Sequence, residues 1–423
     1  MVGQTSHNVR RYLGALGVLA LVATSCTNAA SSEPSTTTNL PPTTVSSTST
    51  TASTTTSTPS TTEAPIIPVT VSGDLADDMA GTLGAALTTL RDPRADGPVL
   101  DTVSEHHGGS VPLDDTYVAD VTTAQLADGS RVGAAVLDSE DTVLLADEGE
   151  GWTVVGTHLV SVGAEPSFGA SPRRVLVLGS DARPGQDPLV FRMDSIHILT
   201  AAPSEASGAI LGYPRDAWID SPYGPMRINA LTSSGRGPDA IFEHFTETWE
   251  LPLEGYIVTG FAGFEDLVAA TLGRITLTIP ISIPTQEWFA GFSSGEQTLT
   301  PTRTLDFART RKLIPGGDFT RSFHQGIVML AALTMIQRGT VLDLPMLLAE
   351  LSEHTATNLT ATDLVQLGAA AMDLDIGSIA NEVLPGSIGR TSGGASVVFL
   401  TDGYEVIVDD VLDDGLRNDS AQP

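Results

Sequence analysis

Arg173-Arg174-Val175-Leu176-Val177-Leu178-Gly179-Ser180-Asp181-Ala182-Arg183 is the stretch on which the fold turns. Val175 to Leu178 form an unbroken aliphatic run with no polar face, as in a strand buried on both sides. Gly179 and Ser180 end that run and set the Asp181 carboxylate at its tip. Downstream, further strands are expected at residues 195–201, 209–213, 256–260, 275–283 and 397–401. Helical spacing falls between them at 238–249, 264–272, 303–311, 319–338, 344–351 and 361–374. Strands interleaved with helices predict an α/β domain in which helices cover a central mixed sheet.

Upstream the pattern differs. Residues 75–90 carry apolar side chains at helical spacing (Leu75, Met79, Leu83, Leu87, Leu90). Short β runs follow at 117–121, 131–137, 142–146 and 152–155, separated by the turn pairs Asp128-Gly129 and Glu150-Gly151. Residues 69–165 therefore read as a small α+β domain, a helix on an antiparallel meander. His106 and His107, beside Gly108-Gly109, are read as a solvated loop rather than a metal site.

Before it, residues 26–68 are nearly all Ser, Thr, Pro and Ala and predict a disordered tether. Arg10 and Arg11 precede an apolar run from Tyr12 to Ala23, shorter than the ~20 residues that cross a bilayer. That run ends at Ala23-Thr24-Ser25-Cys26, which looks like a lipobox. The reading is a lipoprotein signal at 1–25 with Cys26 lipidated; the alternative is a short uncleaved anchor. Either places the remainder outside the cytoplasmic membrane.

The chain has 51 acidic against 21 basic residues, a formal charge of -30. Such a surface repels nucleic acid and excludes that class of partner. Most basic residues lie between Arg173 and Arg338, and Lys312 is the only lysine. A compact cationic site in an anionic protein suggests a small anionic substrate.

Five short stretches place Arg or Asp at strand ends or helix starts: 179–183, 192–195, 213–216, 309–311 and 318–325. Asp181 follows the first strand and Asp194 precedes the second. If those strands are antiparallel, both carboxylates reach one sheet edge, and the third strand delivers Arg215 there. Asp318 reads as the N-cap of the next helix, with Arg321 and Gln325 one turn apart on its exposed face and Phe323, Ile327 and Leu330 towards the core. Free N–H groups and the helix dipole there favour an anion. Arginine forks bind pyrophosphate oxygens in pairs, and a hard divalent cation on two carboxylates offsets their charge.

Together these stretches resemble the LytR-CpsA-Psr family of cell-wall glycopolymer transferases. Gly179-Ser180-Asp181-Ala182-Arg183 looks like its Gly-Ser-Asp-x-Arg, and Arg192-Met193-Asp194-Ser195 like its Arg-Ser/Thr-Asp-Thr. Pro214-Arg215-Asp216 matches its Pro-Arg-Asp, and Arg227-Ile228-Asn229-Ala230 its Lys-Ile-Asn-Ala. Arg309-Thr310-Arg311 matches Arg-x-Arg, and Asp318-Phe319-Thr320-Arg321 with Gln325 matches Asp-Phe-x-Arg-x-x-x-Gln. The resemblance implies a family domain at 173–412, before an acidic tail at 413–423, with an apolar pocket for a polyprenyl chain. It implies that Asp181 and Asp194 hold Mg2+ (or Mn2+). Arg192, Arg215, Arg309, Arg311, Arg321 and Gln325 would surround a pyrophosphate, with Arg183 and Arg227 nearby and Asp318 orienting Arg321. The implied partners are a polyprenyl-pyrophosphate-linked glycan, peptidoglycan, and the membrane through the lipid anchor. His324 stands where many members carry a second arginine, removing one charge near neutral pH.

Three functions fit such a site: glycopolymer transfer to the wall, hydrolysis of polyprenyl or nucleotide pyrophosphates, or wall binding by a decayed enzyme. Decay predicts losses among the metal and arginine positions, and only His324 departs. Residues 275–283 belong either to the core or to the pocket wall, and Trp288, Phe289 and Phe292 either guard its mouth or cover the sheet edge.

Overall fold

A computed structural model describes residues 64–417 apart from Ser234. The leader, Cys26 and nearly all of the tether lie outside the described residues. The N-terminal unit comprises β1 (Thr70–Ser72), α1 (Asp77–Arg91), α2 (Asp101–His106), β2 (Thr116–Gln125), β3 (Arg131–Leu137), β4 (Thr142–Asp147) and β5 (Thr153–His158). The larger unit runs through β6 (Arg173–Ser180), β7 (Met193–Ala202), β8 (Ser207–Gly212), β9 (Trp218–Ile219), β10 (Met226–Arg227), α3 (Asp239–Glu243), β11 (Gly255–Thr259), α4 (Phe261–Thr271), β12 (Ile275–Ile279) and β13 (Gly295–Leu299). It continues with α5 (Pro301–Arg309), α6 (Asp318–Ile336), α7 (Leu344–His354), β14 (Ala356–Thr357), α8 (Ala361–Met372), β15 (Ile379–Val383), β16 (Gly386–Arg390), β17 (Ser396–Leu400) and α9 (Tyr404–Asp414).

The central sheet has six strands in the order β14-β11-β6-β7-β8-β15. β6, β7 and β8 run antiparallel in sequence, while β11 joins β6 and β15 joins β8 in parallel. The sheet is therefore mixed, as the sequence predicted. The aliphatic run of β6 explains its central place. Val175 and Val177 enter the cluster under α6, α7 and α8, whereas Leu176 and Leu178 enter the opposite one, with Tyr213, Phe245 and Val408.

Several boundaries differ from expectation. The strand expected at 275–283 stops at Ile279, because Pro280 has no N–H for the ladder. It pairs with β13 in a separate two-stranded ribbon, and the strand near 397–401 pairs with β16 in another, so neither joins the central sheet. The helix expected at 238–249 is α3 followed by a π-helical turn over His244–Thr248. α5 ends at Arg309, and Thr310 is extended. α9 was not foreseen; it crosses the boundary placed at 412, so Asp413 and Asp414 close a helix rather than begin a tail. His106 ends the short helix α2, and the His107 ring meets Thr157 Oγ1 at 2.7 Å, so the pair is not a free loop.

The N-terminal unit is less separate than its composition suggested. On its five-stranded sheet, Leu137, Val143 and Leu145 face α1, while Val132, Ala134, Leu144 and Ala146 face the other way. That second set lies in the same cluster as Leu347 and Leu348 of α7 and Leu364 and Val365 of α8. One core thus spans both units. Arg173, 2% exposed, stitches the seam. It donates to Glu254, to the Phe168 carbonyl at 2.8 Å and to Gln366 Oε1 at 3.0 Å, and Gln366 in turn donates to the Val155 carbonyl. Removing Glu254 leaves the buried Arg173 guanidinium with only Asp363, 3.8 Å away, to offset its charge. Glu254→Ala should therefore destabilise the fold by about 3–5 kcal/mol, read as a lower denaturation midpoint in urea; an unchanged midpoint would show that the seam does not depend on this pair.

Candidate functional site

The antiparallel pairing of β6 with β7 places Asp181 and Asp194 at one sheet edge. Their strands are tied beyond the ladder by Asp181 N–H donating to the Arg192 carbonyl at 3.0 Å. The register slips between Gly179 and Ser180, opposite Ser195 and Met193. Gly179 has no side chain for a local reason: a Cβ there would lie 2.6 Å from that of Ser195. β8 ends just before Pro214-Arg215 and brings the guanidinium back to the same edge.

From the other side comes the start of α6. Gly316 and Gly317 both have positive φ (75° and 57°), which lets the chain turn sharply into the helix. Gly317 is the N-cap, so Asp318 is the first helical residue and makes no cap hydrogen bond, contrary to the N-cap expected from sequence. Its carboxylate instead faces Arg321 at 3.1 Å, Arg215 at 3.4 Å and Arg311 at 3.9 Å. Arg321 also donates to the Asp194 carbonyl at 2.7 Å, and Arg215 pairs with the Asp194 carboxylate. Asp194, Arg215, Asp318 and Arg321 thus form a chain of alternating charge.

α6 is rotated relative to the expected orientation. Arg321 is buried, at 5% exposure, while Phe323 is 37% exposed. Val328, Met329 and Ala332 fill the core instead, and Ile327 and Leu330 are half-buried. Arg321 and Gln325 therefore point inwards to a cavity of about 480 Å³. Asp181, Asp194, Arg183, Arg309 and Arg311 share its lining. Much of the remaining wall is apolar, including Phe261 and Phe264 of α4, Leu305 and Ala308 of α5, and Val328 and Met329 of α6. The Arg309 guanidinium lies 3.8 Å from the centre of the Phe261 ring, where the polar and apolar parts meet.

Not every expected residue lines this space. Arg215 stands behind the lining, pairing with Asp194. Arg192 is exposed, near enough to Asp181 to stabilise its carboxylate. Arg227 lies further out, 3.5 Å from Asp216, and donates to the Ser396 carbonyl of β17. The alternating strand β12 contributes Ile275, Leu277 and Ile279 to a buried cluster with Phe264 and Phe307, so its apolar side is core. Sequence reading missed the α4 wall. Its only signal was Phe261-Ala262-Gly263-Phe264, directly after a buried strand.

Three polar atoms around the cavity are buried without a hydrogen bond: Asp181 Oδ1, Arg321 Nε and Gln325 Oε1. Such orphans are costly unless a ligand completes them. Burial, and then the neighbouring Asp194, raise the pKa of the Asp181 carboxyl above its usual value. A divalent cation would relieve both strains, so the pair fits Mg2+ or Mn2+. No group of three or more His, Cys, Asp or Glu suited to a metal occurs among the described residues. Two carboxylates plus substrate oxygens suit magnesium, which seldom takes an all-protein cage. Burial lowers the pKa of Arg321 and would lower that of Arg215, but Asp194, Asp318 and Asp216 outweigh it and raise the latter. Both stay charged.

His324 is absent from this lining. Its ring stacks on Phe307 at 4.4 Å between centroids, 1% exposed, with Nδ1 unpartnered, and burial pushes its pKa down to about 4. The unfolded chain takes up this proton near pH 6.5, whereas the folded chain refuses it until about pH 4. The stability due to the neutral ring is complete above pH 6.5 and drains away as pH falls towards 4. His324→Phe should flatten the acid limb of stability between those values by at most about 1.4 kcal/mol per pH unit. Denaturant melts at several pH values measure this, and parallel acid limbs for the two proteins would disprove it.

The family model described as the LytR_cpsA_psr family matches residues 163–407. The chain is 26% identical over 182 residues to the Bacillus subtilis polyisoprenyl-teichoic acid–peptidoglycan teichoic acid transferase TagV, covering 41% of this chain and 46% of that one. It is 28% identical over 183 residues to the Oceanobacillus iheyensis transferase TagU, covering 40% and 55%. The chain thus spans about half the length of these relatives. In structure it resembles the crystal structure of B. subtilis TagV, with a TM-score of 0.50 at 24% identity over 58% of this chain and 97% of that one. It also resembles the gbs0355 protein of Streptococcus agalactiae, with a TM-score of 0.50 at 21% identity over 60% and 91%. The family model covers more than half of the sequence, including all six motifs and the cavity that four of them help to line, and the chain belongs to the LytR-CpsA-Psr family.

Proposed function

We propose that this protein moves a glycopolymer from a polyprenyl-pyrophosphate carrier to a peptidoglycan hydroxyl. One observation carries the reading. Two carboxylates, four arginines and two glutamines share a single cavity with a largely apolar wall. A polyprenyl pyrophosphate has the same two halves, a greasy chain and a doubly charged head. TagV and TagU, named as transferases of teichoic acid to peptidoglycan, support the same class for this relative.

The chain's own residues divide the work. Phe261, Phe264, Leu305 and Met329 bind the hydrocarbon. Arg309, Arg311 and Arg321 take the phosphate oxygens and bear the charge that grows as the bond breaks. Gln325 orients the head, while Asp318 and Asp194 hold Arg321 and Arg215 in place. Asp181 and Asp194 would hold Mg2+ or Mn2+, which when bound offsets negative charge on the pyrophosphate. The acceptor oxygen attacks the glycan-bearing phosphorus and the bond from that phosphorus to the bridging oxygen breaks. Polyprenyl phosphate departs with the electron pair and the hydroxyl proton goes to solvent. Lipidation of Cys26 would keep the site at the outer face of the cytoplasmic membrane. No single described helix is long and apolar enough to cross a membrane.

The test is the full chain incubated with magnesium, labelled lipid-linked glycan and peptidoglycan. Label bound to the wall supports transfer; label merely released identifies a hydrolase. Arg309→Ala should lower transfer by at least about 100-fold with an unchanged circular dichroism spectrum, and a fully active variant would sink the assignment. Magnesium should raise the melting temperature of the wild type but not of Asp181→Asn; an equal rise in both would move the cation elsewhere.

A further inference from the structure

Trp288 is an unusual side chain for its position. It is 71% exposed at the tip of a tight hairpin closed by the paired backbones of Gln286 and Phe289. A lone exposed apolar residue needs no explanation, but this one has a rigid mount and a charged neighbourhood. Its ring leads a row of aromatic contacts through Phe289, Phe292 and the buried Phe307, with centroids 5.7, 5.6 and 5.6 Å apart. Beside it opens a second cavity, of about 310 Å³, lined also by Lys312, Arg309 and Arg311. Asp306 is the one acid in that lining, and Arg303 pairs with it at 3.2 Å. Lys312 has no ion-pair partner among the described residues. This cavity is thus cationic in a protein whose formal charge is -30.

The two cavities have Arg309 and Arg311 as a common wall. That placement matters if the proposed transfer is correct, on which this inference rests. In-line displacement puts the entering oxygen opposite the leaving group. Polyprenyl phosphate leaves into the first cavity, whose far side is apolar, so the acceptor enters from beyond the arginine pair. The second cavity borders that same arginine pair. We propose that it is the acceptor subsite and seats a peptide-bearing pyranose of the wall glycan, with the sugar's C–H face on Trp288 and a carboxylate of the attached peptide on Lys312. The donor glycan is the other possible source of a sugar, and the experiment separates the two.

Full-length protein is titrated with a soluble disaccharide-peptide fragment of peptidoglycan and, separately, with a lipid-free glycan phosphate, following tryptophan fluorescence and calorimetry. The fragment should quench the wild type saturably. Trp288→Ala and Lys312→Ser should each weaken its binding about tenfold or more, the loss of roughly one good contact, and leave binding of polyprenyl pyrophosphate unaltered. Trp288→Phe, which keeps an aromatic face, should retain most of the affinity while losing the quench. Weakened binding of the glycan phosphate instead, or of neither ligand, overturns the proposal. Binding is read without turnover, so the two readings fail separately. A protein that binds the fragment through Trp288 but transfers nothing defeats only the transferase. One that transfers while its fragment binding ignores Trp288 defeats only this subsite.

Discussion

Arg321 lies almost entirely out of water, between the carboxylate of Asp318 and the backbone and side chain of Asp194. A guanidinium in such a place cannot shed its proton, so it must be matched by charge or the fold loses several kcal/mol. That constraint fixes much else. It requires the first turn of α6 to abut the start of β7, and so sets how the helix crosses the sheet. It requires Arg215 to return from β8 as the second partner of Asp194. The cavity exists because these charges are held to one side of it, leaving Arg309, Arg311 and Gln325 to line the rest.

The same network keeps the site from collapsing on itself. Arg215 and Arg321 are engaged by acids, and the Arg309 guanidinium rests over the ring of Phe261. The orphaned Asp181 Oδ1, Arg321 Nε and Gln325 Oε1 are hydrogen-bonding capacity that the fold does not consume. Preorganised polar groups of this kind bind charge without the cost of reorienting, which is how positioning contributes to phosphoryl transfer.

The N-terminal unit changes how the domain is understood. Its sheet shares one apolar cluster with α7 and α8, and Arg173 and Gln366 join the two through buried hydrogen bonds. Helices that would otherwise present their outer faces to solvent are covered by a second sheet. The composition shift near residue 165 marked a change of architecture without marking a separable body, because alternation along a strand shows that a face is buried but not against what.

The fold class and several of the charged residues that line the cavity were legible in the chain itself. The continuous run in β6 announced a doubly covered strand, and six short motifs in order identified the family, since backbone reversals and charged tips leave local marks. The register of the mixed sheet, the short partners β14 and β15, and helix α9 left none, since their pairing comes from contacts far apart in sequence. The phase of α6 was misread for a related reason: apolar residues occupy both of its sides, so periodicity does not say which side meets the sheet. Packing against Asp194 does. His324 shows the same limit. Its position in the motif suggested only one positive charge fewer at the site, whereas stacking on Phe307 removes the ring itself to the core in neutral form. Sequence supplied the charges and their order; only tertiary structure decided which charges meet, because an ion pair depends on distances of a few ångströms that chain separation does not encode.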